Sequence, residues 1–478
     1  MTGPRAFRKA PALALFGLIF ALLALTFTGF DQLGPLASEQ AAAEQVVAAD
    51  AAVAAPYAPA PKLTAADYPT IAGVNSRVAV WIFAQLHLWF AAFVLAVPIF
   101  VFIIEIIGMR TRDKRYDDMA YEFIKVSITA YSLTAILGGS LLFFLILFYP
   151  HLFGYLSTIF SESMFYYALL FFAESAVLYI YYYGWHWLQG GIRKWIHLGL
   201  GLSLNVVGTC LMLLANSWLT FMMSPAGVDA AGVFGGDTWA AMNNFLWHPI
   251  NIHRFVANIA YGGSIVGAYA AFKFLTAGSQ EERAHYDWMG YNANFIAICA
   301  LLPLPFAGYY LAAEMYLYSQ QMGITLMGGI FAWLFIIQAV LIGTLFLSAN
   351  YYLWCGMGRS DGAKRYTKYI KYIAIVLVGA FLVWFTPHTL VLTNEELKAL
   401  GGPHHKILGP LGIMPAKNTA VNVMIIFTAL SFMFYRRANK VATVSWVNAG
   451  NAIQVALFTA GILNIMFLGI YHGYFTNT

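Results

Sequence analysis

Long apolar stretches separated by short polar ones set the pattern of this chain. Runs of about 18 or more residues with few charges are long enough to cross a bilayer as a helix. They fall at 11–30, 76–109, 121–149, 164–187, 195–223, 249–275, 290–316, 329–354, 371–391, 419–436 and 446–470. A lipid environment leaves backbone groups no partners outside the segment, so each run is expected to be helical. The pattern therefore predicts an all-α, polytopic membrane helix bundle of about eleven transmembrane helices. Residues 1–32 form an N-terminal membrane anchor, and 33–70, rich in Ala, Pro and Gln, an outer linker of low complexity. A helical core over 71–275 and further transmembrane helices over 276–478 complete the organisation.

Composition agrees with the pattern. The chain is 61% hydrophobic and 10% charged, with a mean hydropathy of +0.69, whereas a soluble domain carries about 25% charged residues. The charges that remain are distributed unevenly. With the N-terminus cytoplasmic, the inner connections collect 19 of the 26 Lys and Arg residues, among them Arg110, Arg112, Lys114, Arg115, Arg193 and Lys194. Basic residues gather on the cytoplasmic side of membrane proteins. The net charge of +5 is thus a topology signal, not one for nucleic acid, and with eleven spans it puts the C-terminus on the outer, periplasmic side as an expectation.

Candidate chemistry lies in the few ionisable side chains inside the apolar runs. Cys210, Cys299 and Cys355 form no CxxC pair, no CxxCH haem attachment site occurs, and there is no P-loop or zinc-ligand spacing. Eight of the eleven histidines fall in the outer half or outer loops of the expected topology. Most are explained as helix-end or interfacial residues, including His151, His186, His197 and His285. His87 and His253 differ, because each lies within an apolar helix, where an ionisable side chain needs a partner in the protein interior. Glu174, in YYALLFFAESAVLYIYYYGW, lies near the bilayer midplane. A carboxylate there is protonated, paired, or next to a metal or a proton path. Glu105 and Glu314 lie nearer opposite interfaces, where each can reach water. Arg77 and Arg254 lie near the outer boundary, placed for either cofactor carboxylates or lipid headgroups.

The segment SRVAVWIFAQLHLWFAAFVLAVPIFVFIIE, residues 76–105, resembles the first core helix of subunit I of the cytochrome bd quinol oxidases. An SR pair, a histidine ten residues after the arginine and a glutamate eighteen residues later recur there at this spacing. The segments FFAESAVLYIYYYGWHWL at 171–188, SLNVVGTCLMLLANSW at 203–218 and HRFVANIAYG at 253–262 resemble three further helices of that family in the same order. The similarity is best over 76–275.

What the resemblance implies is a bd-like scaffold holding non-covalent haem b, with haem d as an option at one site, and using quinol or quinone. His87 matches the axial histidine of the high-spin haem, and Glu174 one of two functional glutamates. A proton route from the inside would pass Glu174, and Glu105 belongs to the same expected machinery. His253 is the candidate second haem ligand, with Met424 as its partner; Arg77 and Arg254 would meet propionates.

Departures accompany the matches. The family's second glutamate falls on Tyr166, its low-spin haem histidine on Ala257, and its GRQPW motif is absent. The chain is therefore expected to be a membrane electron-transfer subunit. It would pass electrons between the quinone pool and an acceptor near the outer face, either oxygen or a periplasmic cytochrome c, beside a second membrane subunit of a respiratory complex. A haemless anchoring subunit, or a proton-coupled channel or transporter centred on Glu174, would share the same apolar pattern.

Overall fold

The computed structural model describes residues 57–62, 68–71, 73–319, 322–323, 332–358, 364–385 and 413–439, with 451, 453–459 and 462. The proposed anchor at 11–30 and most of the final span at 446–470 lie outside the described residues, as does most of the linker. A two-stranded antiparallel hairpin, β1 (Thr70–Ile71) and β2 (Val74–Asn75), leads into the first helix. Asn75 starts that helix by accepting a hydrogen bond from the Arg77 backbone N–H at 2.9 Å, a side-chain cap for a donor the helix leaves unpaired.

The helices follow in order: α1 (Ser76–Thr111), α2 (Lys114–Phe148), α3 (Pro150–Ile159), α4 (Ser161–Tyr183), α5 (Gly191–Met223), α6 (Thr238–Met242), α7 (Trp247–Thr276), α8 (Gln280–Leu301), α9 (Leu304–Tyr318), α10 (Ala332–Gly358), α11 (Lys364–Thr367), α12 (Ile370–Phe385) and α13 (Ile413–Asn439). Among the described residues, eight helical stretches are long and apolar enough to cross a membrane. The chain is a polytopic all-α bundle, as its hydropathy pattern predicts. The span expected at 290–316 begins ten residues earlier, at Gln280, and breaks at Leu302–Pro303 into α8 and α9. Proline has no N–H to continue the helical ladder, which explains the break there.

Two packed regions divide the described bundle. The first surrounds α1, whose Val97, Phe100, Val101 and Ile104 are enclosed by α2, α4, α5, α7 and α8. The second joins the far face of α8, through Tyr291, Ile298 and Cys299, to Tyr352 of α10 and to Phe432 and Tyr435 of α13. α7 is wedged between α1 and α8 by two adjacent glycines. A side-chain carbon on Gly262 would lie 2.6 Å from the Ala96 carbonyl, and one on Gly263 2.7 Å from the Ala297 nitrogen. Small residues let membrane helices approach this closely.

The same contacts fix the register. α4 and α7 run parallel to α1, and α2 and α5 run opposite to it. Gly262 lies opposite Ala96, so His253 sits at the level of His87, and Asn251 at that of Gln85. Residues 87 and 105 of α1 are eighteen positions apart, about 27 Å at 1.5 Å per residue. The chemistry of the molecule is arranged in levels along that length.

Candidate functional site

At one end of α1 is the histidine level. His87 turns toward α2, where its Nδ1 lies 3.0 Å from the Thr134 carbonyl. A carbonyl only accepts, so Nδ1 carries the hydrogen and Nε2 is left with its lone pair. The ring rests on Gly138, where a side-chain carbon would come within 2.8 Å of His87 Cε1. Sequence and fold thus cooperate: a glycine in α2 opens the space, and a carbonyl one turn earlier orients the imidazole.

His253 sits on α7 at the same level, its Nε2 3.6 Å from where a side chain on Gly308 would begin. Its neighbour Arg254 donates to the Asn216 side-chain oxygen, and the Asn216 Nδ2 donates to Asn251 Oδ1 at 2.6 Å. Gln85, at this level on α1, is buried with neither side-chain polar atom hydrogen-bonded, and Trp89 Nε1 and Asn251 Nδ2 are likewise unpaired among the described residues. An unmade hydrogen bond in a buried position costs about 1–3 kcal/mol. Several together, beside an arginine whose hydrogen-bond partner here is a neutral amide, make an unsatisfied polar patch between α1 and α7, on the other side of α1 from the His87 ring. The carboxylates of a haem would meet these N–H donors, while the ligating nitrogens would have to come from His87 or His253. Among the described residues no three His, Cys, Asp or Glu side chains cluster as metal ligands, so His87 and His253 stand as single donors.

Glu174 occupies the second level, one-half of the way along the bundle. It is 6% exposed and makes no hydrogen bond or ion pair among the described residues. It borders a small cavity with Pro98, Asn205, Gly208, Thr209 and Asn258, large enough for about one water (10 Å³ for its centre). Gly208 makes room for it: a side chain there would meet Glu174 Oε1 at 2.8 Å. Tyr166, where the resemblance puts a second glutamate, is 48% exposed and lines no part of this cavity.

The third level corrects an expectation. Glu105 does not reach water at an interface; it is 0% exposed. Its Oε1 accepts from Lys194 Nζ at 2.8 Å and from His197 Nδ1 at 2.5 Å, and its Oε2 accepts from the Tyr181 hydroxyl. Lys194 also pairs with Asp117 Oδ1 at 2.8 Å and donates to Gln189 Oε1 at 3.2 Å. His197, expected as an ordinary helix-end residue, is fully buried and stacked on Tyr181. Lys194 lies in the basic pair Arg193–Lys194, which in the sequence reads as a topology signal; that is why the cluster was not visible there.

The remaining candidates lie apart. Arg77 is at the exposed start of α1 with its guanidinium 5.0 Å from the Tyr68 ring centre. Met424 is buried among Ile373, Leu377, Ala380 and Ala420, in the packing of α12 against α13. Glu314 is on α9, away from Glu105 and Glu174.

Comparison with curated protein sequences returns no match. Among solved structures, the chain resembles the structure of bd oxidase from Geobacillus thermodenitrificans, with 14% identity and a TM-score of 0.48, covering 83% of this chain and 96% of that one. The family whose pattern the sequence matches is described as cytochrome bd terminal oxidase subunit I, over residues 75–476. That match takes in the histidine level, Glu174 and the Glu105 cluster alike, and on it the chain belongs to the cytochrome bd terminal oxidase subunit I family.

Proposed function

We propose that the chain is a haem-b-binding electron-transfer subunit that passes electrons between the quinone pool and an acceptor near the outer face of a bacterial inner membrane. The observation that carries this reading is His87: a buried-side imidazole whose Nδ1–H is committed to a backbone carbonyl. Metal-ligating histidines are oriented in this way, with the opposite nitrogen left for the metal. Bound haem would supply one-electron redox chemistry.

The protein's own residues divide the remaining work. Gly138 and the Thr134 carbonyl hold the His87 ring in place. Arg254, Trp89, Gln85 and Asn251 offer buried donors to carboxylates, and Arg77 lies at the rim, next to Tyr68. His253 is the candidate ligand for a second haem; Met424, packed elsewhere, is not matched to it. Glu174, isolated in its cavity, holds or passes a proton. Tyr166 in place of a second carboxylate favours an acceptor other than oxygen, such as a periplasmic cytochrome c. Exposed apolar residues of α2 and α4, including Phe143, Leu147, Phe165 and Phe172, offer a surface for lipid and a second membrane subunit.

A pyridine haemochrome spectrum of the purified chain tests the reading and is expected to show haem b; no haem b signal overturns it. Oxygen uptake with a quinol donor then separates an oxidase from a subunit that delivers electrons to another carrier.

A further inference from the structure

At the end of the bundle opposite the Glu105 cluster is a small packed group of side chains that the electron-transfer chemistry above does not use. Leu246 and Ile250, at the start of α7, and Met315 of α9 are its buried members, and Met223, Leu311 and Met322 pack against them. Three of these six side chains are thioethers. They come from three separate segments: the end of α5, the second half of α9 and the turn that follows it. The far larger region around α1 holds two methionines among its buried residues, Met119 and Met289. Methionine fills irregular gaps in apolar cores, but here Met223 and Met322 are half-buried, so the sulfur-rich group opens toward the surface.

Short hydrogen-bonded turns bring the three together. After α5, the Ser224 hydroxyl accepts from the Leu246 N–H at 3.2 Å and donates to Asn244 Oδ1 at 3.1 Å. That clamps the end of α5, and Met223 with it, to the start of α7. After α9, the Ser319 N–H closes onto the Met315 carbonyl at 2.9 Å. The Ser319 hydroxyl then accepts from the Met322 N–H at 3.3 Å, and its carbonyl from the Gly323 N–H at 3.0 Å. The chain therefore turns back and carries Met322 to the group that holds Met315. Gly323 allows this: a side-chain carbon there would lie 2.5 Å from the Tyr316 ring.

The chemistry of the donors selects the ion. None of the six side chains carries a charge, so a divalent cation would enter with nothing to balance it, whereas a monovalent one costs less to bury. Thioether sulfur is a soft ligand that favours copper(I) over the harder cations held by carboxylates and carbonyls. It also binds metal without first losing a proton, unlike cysteine or a protonated histidine. Cys210, Cys299 and Cys355 lie outside the group. We propose that Met223, Met315 and Met322 form a soft-metal site that takes one copper(I) ion from the outer side of the membrane. No electron moves in this step: the ion leaves the ligands of its carrier and gains three sulfur ligands, with its charge unchanged.

The test uses the full chain in detergent and two probes. Silver(I), a stable monovalent stand-in for copper(I), is added to protein carrying ¹³C-labelled methionine methyl groups. The resonances of Met223, Met315 and Met322 are expected to shift together at one equivalent, while those of the remaining methionines stay in place. Copper(I) retained against a chromogenic chelator should fall at least about tenfold in Met315→Leu, the loss seen when even an outer partner of a metal site is removed. Met223→Leu and Met322→Leu should do the same. Leucine conserves the volume of methionine, so the unfolding temperature of the metal-free variants should stay near that of the wild type. Retention should be equal at about pH 5 and about pH 8, because no ligand has a proton to lose. Copper(I) binding that survives all three substitutions overturns the proposal, as do silver shifts confined to other methionines. A tenfold fall in retention on acidification also overturns it, by assigning the metal to cysteine or histidine. Should a variant fail to fold, the silver spectrum of the wild type decides. None of these readouts needs haem, so the result is independent of the electron-transfer reading.

Discussion

The two ends of α1 solve the same problem in opposite ways. Both bury polar side chains inside an apolar bundle. At the Glu105 end, each ionised group meets an opposite charge, and both His197 nitrogens are bonded. At the His87 end, Gln85, Trp89 and Asn251 retain unpaired atoms, and the hydrogen-bond partner of Arg254 is an amide. A closed network is complete as folded, whereas an open one indicates a binding partner. The difference is one of hydrogen-bond completeness: the Glu105 level is satisfied by the protein's own groups, and the level of Gln85 is not.

The sharpest way to break this contrast is to open the closed end. Glu105→Ala leaves Lys194 and His197 buried without their shared anion, and is expected to destabilise the chain by about 3–5 kcal/mol, the range for breaking a buried ion pair. A thermal unfolding series in detergent measures it; a shift near zero would mean the cluster is not buried as described. At the open end, His87→Ala should abolish the haem binding proposed for it while leaving the bundle folded, seen as a loss of haem b absorbance at unchanged helical content. Retention of the full haem content would exclude His87 as a ligand.

A finer probe is the space beneath the imidazole. Gly138→Ala places a carbon 2.8 Å from His87 Cε1, and should shift the ring at a cost of about 1–3 kcal/mol, the usual penalty for overpacking. A change in the haem spectrum without a comparable change in a distant variant is the expected signature. Gln85→Leu sharpens the comparison by its sign. In haem-free protein, replacing an unpaired buried amide with an apolar side chain should be neutral or stabilising by about 1 kcal/mol. In the haem-loaded protein it should be destabilising if Gln85 bonds a carboxylate.

The smallest effect expected is at the α1–α2 turn, where Asp113 accepts from the Arg115 backbone N–H at 3.1 Å and pairs with its guanidinium at 2.6 Å. Partial burial pushes the Asp113 carboxyl up, but the hydrogen bonds and charge of Arg115 outweigh it, leaving it below its ordinary value. A carboxyl lowered in the folded state contributes stability above its unfolded pKa and loses it as pH falls through the folded one. Asp113→Asn should therefore flatten the acid side of the stability profile, by less than about 1 kcal/mol for so exposed a pair.

The fold was legible in the sequence because hydrophobic length is a direct physical requirement of the bilayer. The interior placement of His87 and Glu174 was legible for a related reason: each is a lone ionisable group in an apolar run. The Glu105 cluster was not, since Lys194 and His197 sit at a helix start where basic residues normally meet water, and only the packing of α1, α4 and α5 encloses them. Gln85, Trp89 and Asn251 gave no signal at all. An amide or an indole in a membrane helix is ordinary until neighbouring helices withhold its partner. Met424, aligned on one faint motif, packs with Ile373, Leu377, Ala380 and Ala420 between α12 and α13.

The link between α1 and α2 has a consequence for how the chain is made. Only Arg112 and Asp113 separate the two helices; Arg112 adopts a left-handed conformation at φ 57°, and its N–H closes onto the Gly108 carbonyl at 2.8 Å. So tight a turn brings α1 and α2 together as one hairpin during synthesis. Both supports of His87, the Thr134 carbonyl and the Gly138 shelf, belong to that hairpin. The imidazole is therefore oriented once residue 148 has entered the membrane, before α5 or α7 has left the ribosome. The order of translation sets the imidazole against α2 before the helices that pack on the rest of α1 are made.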